Sequence, residues 1–169
     1  MGNVVLTGFM GTGKSAVGRE LAQLLGMELV DVDEMIEMDQ QMPIPEIFRL
    51  HGEPRFREIE TEMIRRVAKR DNLVISTGGG AVLREENMEA LRSTGSIFCL
   101  FASAETIHER TRSSDNRPLL KADNPMARIR ELLAARRPYY EKAGALVDTE
   151  GKSPRQIAEE IVEMVRCTR

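Results

Sequence analysis

VVLTGFMGTGKSAVGRELAQLL, residues 4–25, decides how the rest of the chain is read. An apolar, β-branched run ends in a loop carrying Gly8, Gly11, Gly13 and Lys14, after which Val17, Leu21, Leu24 and Leu25 recur at helical spacing. The loop GFMGTGKS fits GxxxxGK[ST] through Gly8, Gly13, Lys14 and Ser15, in the strand–loop–helix setting that this motif requires. Glycines let the backbone wrap an anion without Cβ clashes, so successive N–H groups and the helix N-terminus face phosphate. Lys14 is expected to bridge the β and γ phosphates, and Ser15 to ligate magnesium. The stretch predicts a cradle for the polyphosphate of a nucleotide, ATP, with contacts from Gly11, Thr12, Gly13, Lys14, Ser15 and Ala16.

Working outward, short runs rich in β-branched residues alternate with helical patterns: NVVLT (3–7), ELVDV (28–32), NLVIST (72–77), SIFCLF (96–101) and ALVDT (145–149). This alternation predicts an α/β fold, a parallel doubly wound sheet with right-handed crossovers. At 169 residues, 41% hydrophobic, the chain is long enough for one substantial core and short for two domains, so a single domain over residues 1–169 is expected. A net charge of -3 argues against a nonspecific nucleic-acid surface, and no apolar run is long enough to span a membrane. Cys99 and Cys167 show no metal spacing, which suits a reducing cytoplasm. The irregular stretch SSDNRPLLKADNP (113–125) carries Arg117 and Lys121, and its length predicts a mobile functional loop.

A phosphate loop does not name a reaction, so the acceptor must be sought elsewhere. In ELVDVDEM (28–35), period-2 alternation puts Asp31 and Asp33 on one side at the strand's carboxyl end, which faces the ligand crevice of an open parallel sheet. Two such carboxylates suit magnesium and the orientation or deprotonation of an attacking hydroxyl. The alternative makes Asp33 an N-cap with Glu34 in the first turn. STGGGAV (76–82) reaches the same edge with Gly78, Gly79 and Gly80, which permit close approach of a ligand, while Ser76 and Thr77 stand where a strand-end acid is common. Asp31 is therefore the expected metal contact.

Two arginines stand out by position. Arg136 falls on the stripe of Ile129, Leu132 and Leu133, and Arg57 borders that of Phe56, Ile59, Met63 and Ile64. A fixed charge on an apolar face wants an anion; the competing readings are a surface Arg57–Glu60 pair and an Arg136 that snorkels to solvent. Guanidinium forks beside an acid suggest a small acceptor with both a carboxylate and a hydroxyl. His51 and His108 read as surface, RRVAKR (65–70) as a helix end, and the methionines, among them Met35, Met38, Met63 and Met164, as core filler.

GFMGTGKS with GRELA behind it, DVD, IPEIFRLHGEPRFREIE, STGGGAV, NRPLL and RRPYY occur in the order and approximate spacing of the shikimate kinases, which the chain resembles over essentially its whole length. The resemblance implies a nucleoside-monophosphate-kinase-like fold of P-loop type, with five strands in the order 2-3-1-4-5. It further implies transfer of the ATP γ-phosphate to the 3-hydroxyl of shikimate, in chorismate and aromatic amino-acid biosynthesis. By position, Asp33 resembles the acid that orients or deprotonates the hydroxyl, Arg57 and Arg136 the pair gripping the carboxylate, and Gly78, Gly79 and Gly80 the pocket lining. Arg117 resembles the arginine of a lid over about 112–125, Arg110 the residue stacking near adenine, and Ser15 with Asp31 the magnesium contacts. Ala16 departs from the Thr or Ser of many members, so one hydroxyl contact to the α-phosphate is expected to be missing, and Tyr139 departs from the usual PLY. A cytoplasmic monomer acting on small molecules, with no nucleic-acid or membrane partner, is expected.

Overall fold

The structure is a computed structural model, and residues 2–113, 120 and 122–167 are described. Its elements run β1 (Asn3–Gly8), α1 (Lys14–Leu25), β2 (Glu28–Asp31), α2 (Val32–Gln40), α3 (Ile44–Ala68), β3 (Leu73–Ser76), a 3-10 turn (Ala81–Leu83), α4 (Glu85–Arg92), β4 (Gly95–Phe101), α5 (Ala104–Thr111), α6 (Pro125–Ala143), β5 (Ala145–Asp148) and α7 (Pro154–Cys167). The strands form one parallel sheet in the order β2-β3-β1-β4-β5. Each of the five runs read from the sequence is a strand, with ends shifted by a residue at most.

Central β1 is buried along its whole length, as a strand covered by helices on both faces must be. Strand alternation divides its side chains between two cores. Val5, with Ile75, Ile97 and Cys99, packs against α3 and α6 through Ile59, Met63, Ile64 and Ile129. Val4 and Leu6, with Val74, Phe98, Leu100 and Val147, meet α1 and α7 through Val17, Leu21, Ile157, Ile161 and Val162. Cys99 is core filler, whereas Cys167 is exposed. The methionines divide: Met63 and Met88 are buried, but Met38 is 79% exposed, so its expected place in the core is corrected. Met38 lies toward the end of α2, whose Val32, Met35 and Ile36 pack inward instead.

What positions the site is the switch in strand order at β1. The chain leaves β1 to build β2 and β3 on one side and then crosses to β4 and β5 on the other, so the loop after β1 opens into a crevice. Register keeps the neighbouring ends level, with Leu6 beside Ser76 and Asp31 also beside Ser76. Helix α3 is kinked at Gly52 (φ 77, ψ 169), two residues before Pro54, and this splits it into an arm carrying Phe48 and a longer segment carrying Arg57 and Glu60. Phe48 and Phe56 pack together across the kink with centroids 4.7 Å apart. Among the described residues, no helix is long and apolar enough to cross a membrane.

The packing of α1 on α7 makes Leu21, which is fully buried, a sensitive position. Leu21→Ala is expected to cost about 2–5 kcal/mol, and Met38→Ala to stay within about 0.5 kcal/mol of the parent; urea denaturation followed by circular dichroism checks both.

Candidate active site

The loop between β1 and α1 closes on itself. Lys14 Nζ donates to the carbonyl oxygens of Gly8 at 2.8 Å and Phe9 at 2.9 Å, and the buried Thr12 hydroxyl donates to Phe9 O at 2.8 Å. Gly13 precedes α1 with φ 94 and ψ 19, a left-handed conformation in which a Cβ is strained, and it offers no side-chain cap. With no acidic residue in its first turn either, α1 presents its leading N–H groups and the positive end of its dipole to the crevice.

The acid pair is arranged differently from the strand alternation expected above. The strand ends at Asp31, which caps α2 by accepting from the N–H groups of Asp33 at 2.9 Å and Glu34 at 3.3 Å. Asp33 is thus neither a strand residue nor the cap, but sits in the first turn of α2. The reason is that the β-region cap and the Asp31 carboxylate satisfy the N–H groups with which the helix begins. Asp31 Oδ2 accepts from the Ser15 hydroxyl at 3.3 Å, joining the end of β2 to the phosphate loop.

Asp33 turns into a cavity of about 380 Å³ that also takes in Lys14, Ser15, Asp31, Arg57, Glu60, the Gly78–Gly80 run and Arg136. Its Oδ1 is buried with no hydrogen-bond partner among the described residues. Burial, then the carboxylates of Glu60 and Asp31, push the Asp33 carboxyl from 3.8 up to about 7 against the pull of Lys14 and Arg57. Arg57 and Glu60 form an ion pair, Nη1 to Oε2 at 2.8 Å, but it is no surface pair: Arg57 is 8% exposed and Glu60 fully buried. Longer bonds, 3.2 and 3.4 Å, run from Arg57 to the half-exposed Glu53. Arg136 does not snorkel to solvent. It is 4% exposed, lies 5.7 Å over the Phe9 ring and keeps a buried Nη1 without a partner among the described residues.

The glycine run explains how so much charge converges. None of Gly78, Gly79 and Gly80 has a positive φ, so tight-turn geometry is not their reason. A Cβ at Gly78 would meet Glu60 Oε1 at 2.8 Å and Asp33 Oδ1 at 2.9 Å, and one at Gly80 would overlap the Arg57 guanidinium. The absent side chains make room for the protein's own acid and base groups as well as for a ligand.

Sequence reasoning missed Glu60 as a cavity residue and missed the apolar wall of Met10, Ile44, Phe48 and Phe56. For Glu60 a signal existed: it lies four residues from both Phe56 and Ile64, a charge on an apolar stripe like Arg136. The wall becomes visible only once the Gly52 kink folds Phe48 back. Arg110 does not line the cavity and donates to Gly11 O at 3.2 Å from its outer side. Arg117 lies outside the described residues.

The chain matches the shikimate kinase family over residues 10–166. A shikimate kinase of Thermodesulfovibrio yellowstonii is 53% identical over 163 residues, 96% of this chain and 94% of that protein. One of Thermus thermophilus is 48% identical over 95% of this chain and 88% of its own length. The chain belongs to the shikimate kinase family. A solved shikimate kinase from Acinetobacter baumannii, in complex with shikimate, has the same fold at a TM-score of 0.97 and 37% identity, covering 100% of this chain and 95% of that one.

Shikimate kinases work with ATP and magnesium, and the donors here fit a magnesium nucleotide. The Ser15 hydroxyl and Asp31 carboxylate are two hard oxygen donors beside the loop. That is the pattern of an ion held by one or two protein groups plus phosphate and water.

Between pH 4 and 7 the folded chain keeps a proton on Asp33 that the unfolded chain releases, so stability falls as pH rises through that window. Asp33→Asn is therefore expected to melt above the parent at pH 8, by on the order of 2–4 kcal/mol, with the gap closing near pH 4. Thermal unfolding without nucleotide checks this; an equal gap at both pH values would count against the burial of Asp33.

Proposed function

We propose that this chain transfers the γ-phosphoryl group of ATP to the 3-hydroxyl of shikimate, forming shikimate 3-phosphate for chorismate and aromatic amino-acid biosynthesis. The observation that carries the reading is one cavity that brings Lys14, Ser15 and Asp31 together with Asp33, Arg57 and Arg136, in a chain of this family.

In this mechanism the loop N–H groups of Gly11, Thr12, Gly13 and Ser15, with the head of α1, hold the phosphates. Lys14 exchanges its carbonyl partners for the β and γ oxygens, a local move because both partners lie in its own loop. Ser15 and Asp31 would hold magnesium, which when bound neutralises phosphate charge. Arg136 offers its unpartnered Nη1 to the substrate carboxylate. Arg57 follows by giving up the long Glu53 bonds while Glu60 keeps the guanidinium in place. The apolar wall of Ile44, Phe48 and Phe56 faces the carbocycle, and Gly79 and Gly80 let it approach the backbone.

Asp33, poised near neutrality, aligns the hydroxyl and takes its proton as the new O–P bond forms and ADP leaves. We assign Arg117 to a lid over 112–125 that excludes water, and Arg110 to the adenine; residues 114–119 and 121 of that segment lie outside the described residues. Ala16 supplies no hydroxyl to the α-phosphate, which touches affinity and not chemistry. We propose a single cytoplasmic domain acting as a monomer on small molecules, with no nucleic-acid partner.

Coupled ADP release with shikimate, and with gluconate as the control acceptor, tests the assignment; turnover with gluconate alone would overturn it. Asp33→Asn is expected to lower kcat by about 10²–10⁴-fold with ATP binding retained. Arg136→Ala is expected to raise the KM for shikimate by about 10- to 100-fold, the loss of a charge-assisted bond worth about 1.5–3 kcal/mol, with the KM for ATP little changed.

A further inference from the structure

We propose that Glu37 is a positioning residue for the acceptor: its carboxylate caps the head of α3 from the preceding helix α2, and so fixes the arm whose Ile44 and Phe48 wall the cavity. The inference rests on the reading above, in which that wall faces the carbocycle of the substrate.

Helix α3 begins without a cap of its own, because its N-cap residue is Pro43, whose ring carries no atom able to accept a hydrogen bond. Most of its leading groups are settled locally: Pro45 has no N–H, and Glu46 and Ile47 donate back to the Pro43 carbonyl at 2.9 and 3.1 Å. The Ile44 N–H is left over. It donates to Glu37 Oε1 at 2.8 Å, in a part-buried bond that spans the turn between α2 and α3. A carboxylate at this place satisfies the donor and also meets the positive end of the helix.

Each end of this bond bears on the cavity. On one side, the arm over residues 44–51 lies between Pro43 and the Gly52 kink, so it does not simply continue a longer helix. Ile47 anchors its inner face in the core and Phe48 packs on Phe56 across the kink, while the head, where Ile44 lines the cavity, is tied to α2 by Glu37. On the other side, Glu37 stands one helical turn after Asp33 on α2, so both side chains leave the same face of that helix. One short helix therefore delivers the acceptor acid and, a turn later, holds the apolar wall of the same cavity.

The test compares Glu37→Ala, Glu37→Gln, Phe48→Ala, Arg136→Ala and the double variant Glu37→Ala/Phe48→Ala with the parent in the ADP-release assay, with circular dichroism verifying the fold. Glu37→Ala is expected to raise the KM for shikimate about 10-fold, the effect of a lost helix cap, while the KM for ATP stays within about twofold. Glu37→Gln keeps an oxygen that can accept the Ile44 N–H, and its shikimate KM is expected to stay within about twofold of the parent. Once Phe48→Ala has removed the ring, Glu37→Ala is expected to add less than about twofold, because it acts through the wall. An unchanged shikimate KM in Glu37→Ala, beside a raised one in Arg136→Ala, would overturn the inference and leave the functional reading intact. So would equal losses in Glu37→Ala and Glu37→Gln, a parallel rise in both KM values, the sign of a merely structural role, or fully additive effects in the double variant. An Arg136→Ala variant with unchanged shikimate KM would instead refute the functional reading.

Discussion

Ionised groups taken out of water are destabilising unless their partners are taken with them, and the acceptor end of this cavity is organised around that constraint. Asp33 Oδ1 and Glu60 Oε1 converge on the face of Gly78, each buried and without a hydrogen-bond partner among the described residues, while the other Glu60 oxygen is held by Arg57. The pair cannot sit comfortably with both carboxylates charged, and Asp33, which has no ion-pair partner among the described residues, is pushed up to about 7. Glu60 is raised by its own burial, opposed by Arg57, Arg136 and Arg84. In the mechanism we propose, an acid that changes protonation near neutral pH beside the acceptor hydroxyl is the functional return on an arrangement that weakens the folded state.

The two ends of the cavity are built by different kinds of contact, and this governs how much of each was legible in the sequence. The donor loop is local: Lys14 reaches Gly8 and Phe9, and Thr12 reaches Phe9, so a short motif already contains its own geometry. The strands were legible for a related reason, since β-branched runs bounded by turn residues carry their period with them. At the acceptor end, Gly78 makes room for Asp33 and Glu60, and Gly79 accepts from Tyr140 sixty-one positions away. No short window holds those partners. Arg57 and Arg136 could be singled out as charges on apolar stripes, but Glu60 entered only as the partner in a competing surface-pair reading of Arg57, although the same rule applies to it.

The misplacement of Asp33 has a similar cause. Period-2 alternation was extended two residues too far because the Asp31 side chain, by accepting two N–H groups, stops the strand and starts the helix at once. One carboxylate thereby does two jobs: Oδ1 organises the turn that delivers Asp33, and Oδ2 faces Ser15 in the phosphate loop. A change at Asp31 would disturb the Ser15 contact and the turn that delivers Asp33 together.

This sharing extends through the rim. Gly79 packs against Met10 of the donor loop and accepts from Tyr140 of α6, and Phe9 of that loop lies under Arg136. The cavity is therefore built on the two loops that leave the adjacent, paired strands β1 and β3. In-line transfer requires the attacking and leaving oxygens to be held in line with the phosphoryl group. Loops anchored on the buried strand β1, which pairs with β3 and β4, can hold that distance, whereas two separately hinged pockets would have to find it anew in each catalytic cycle.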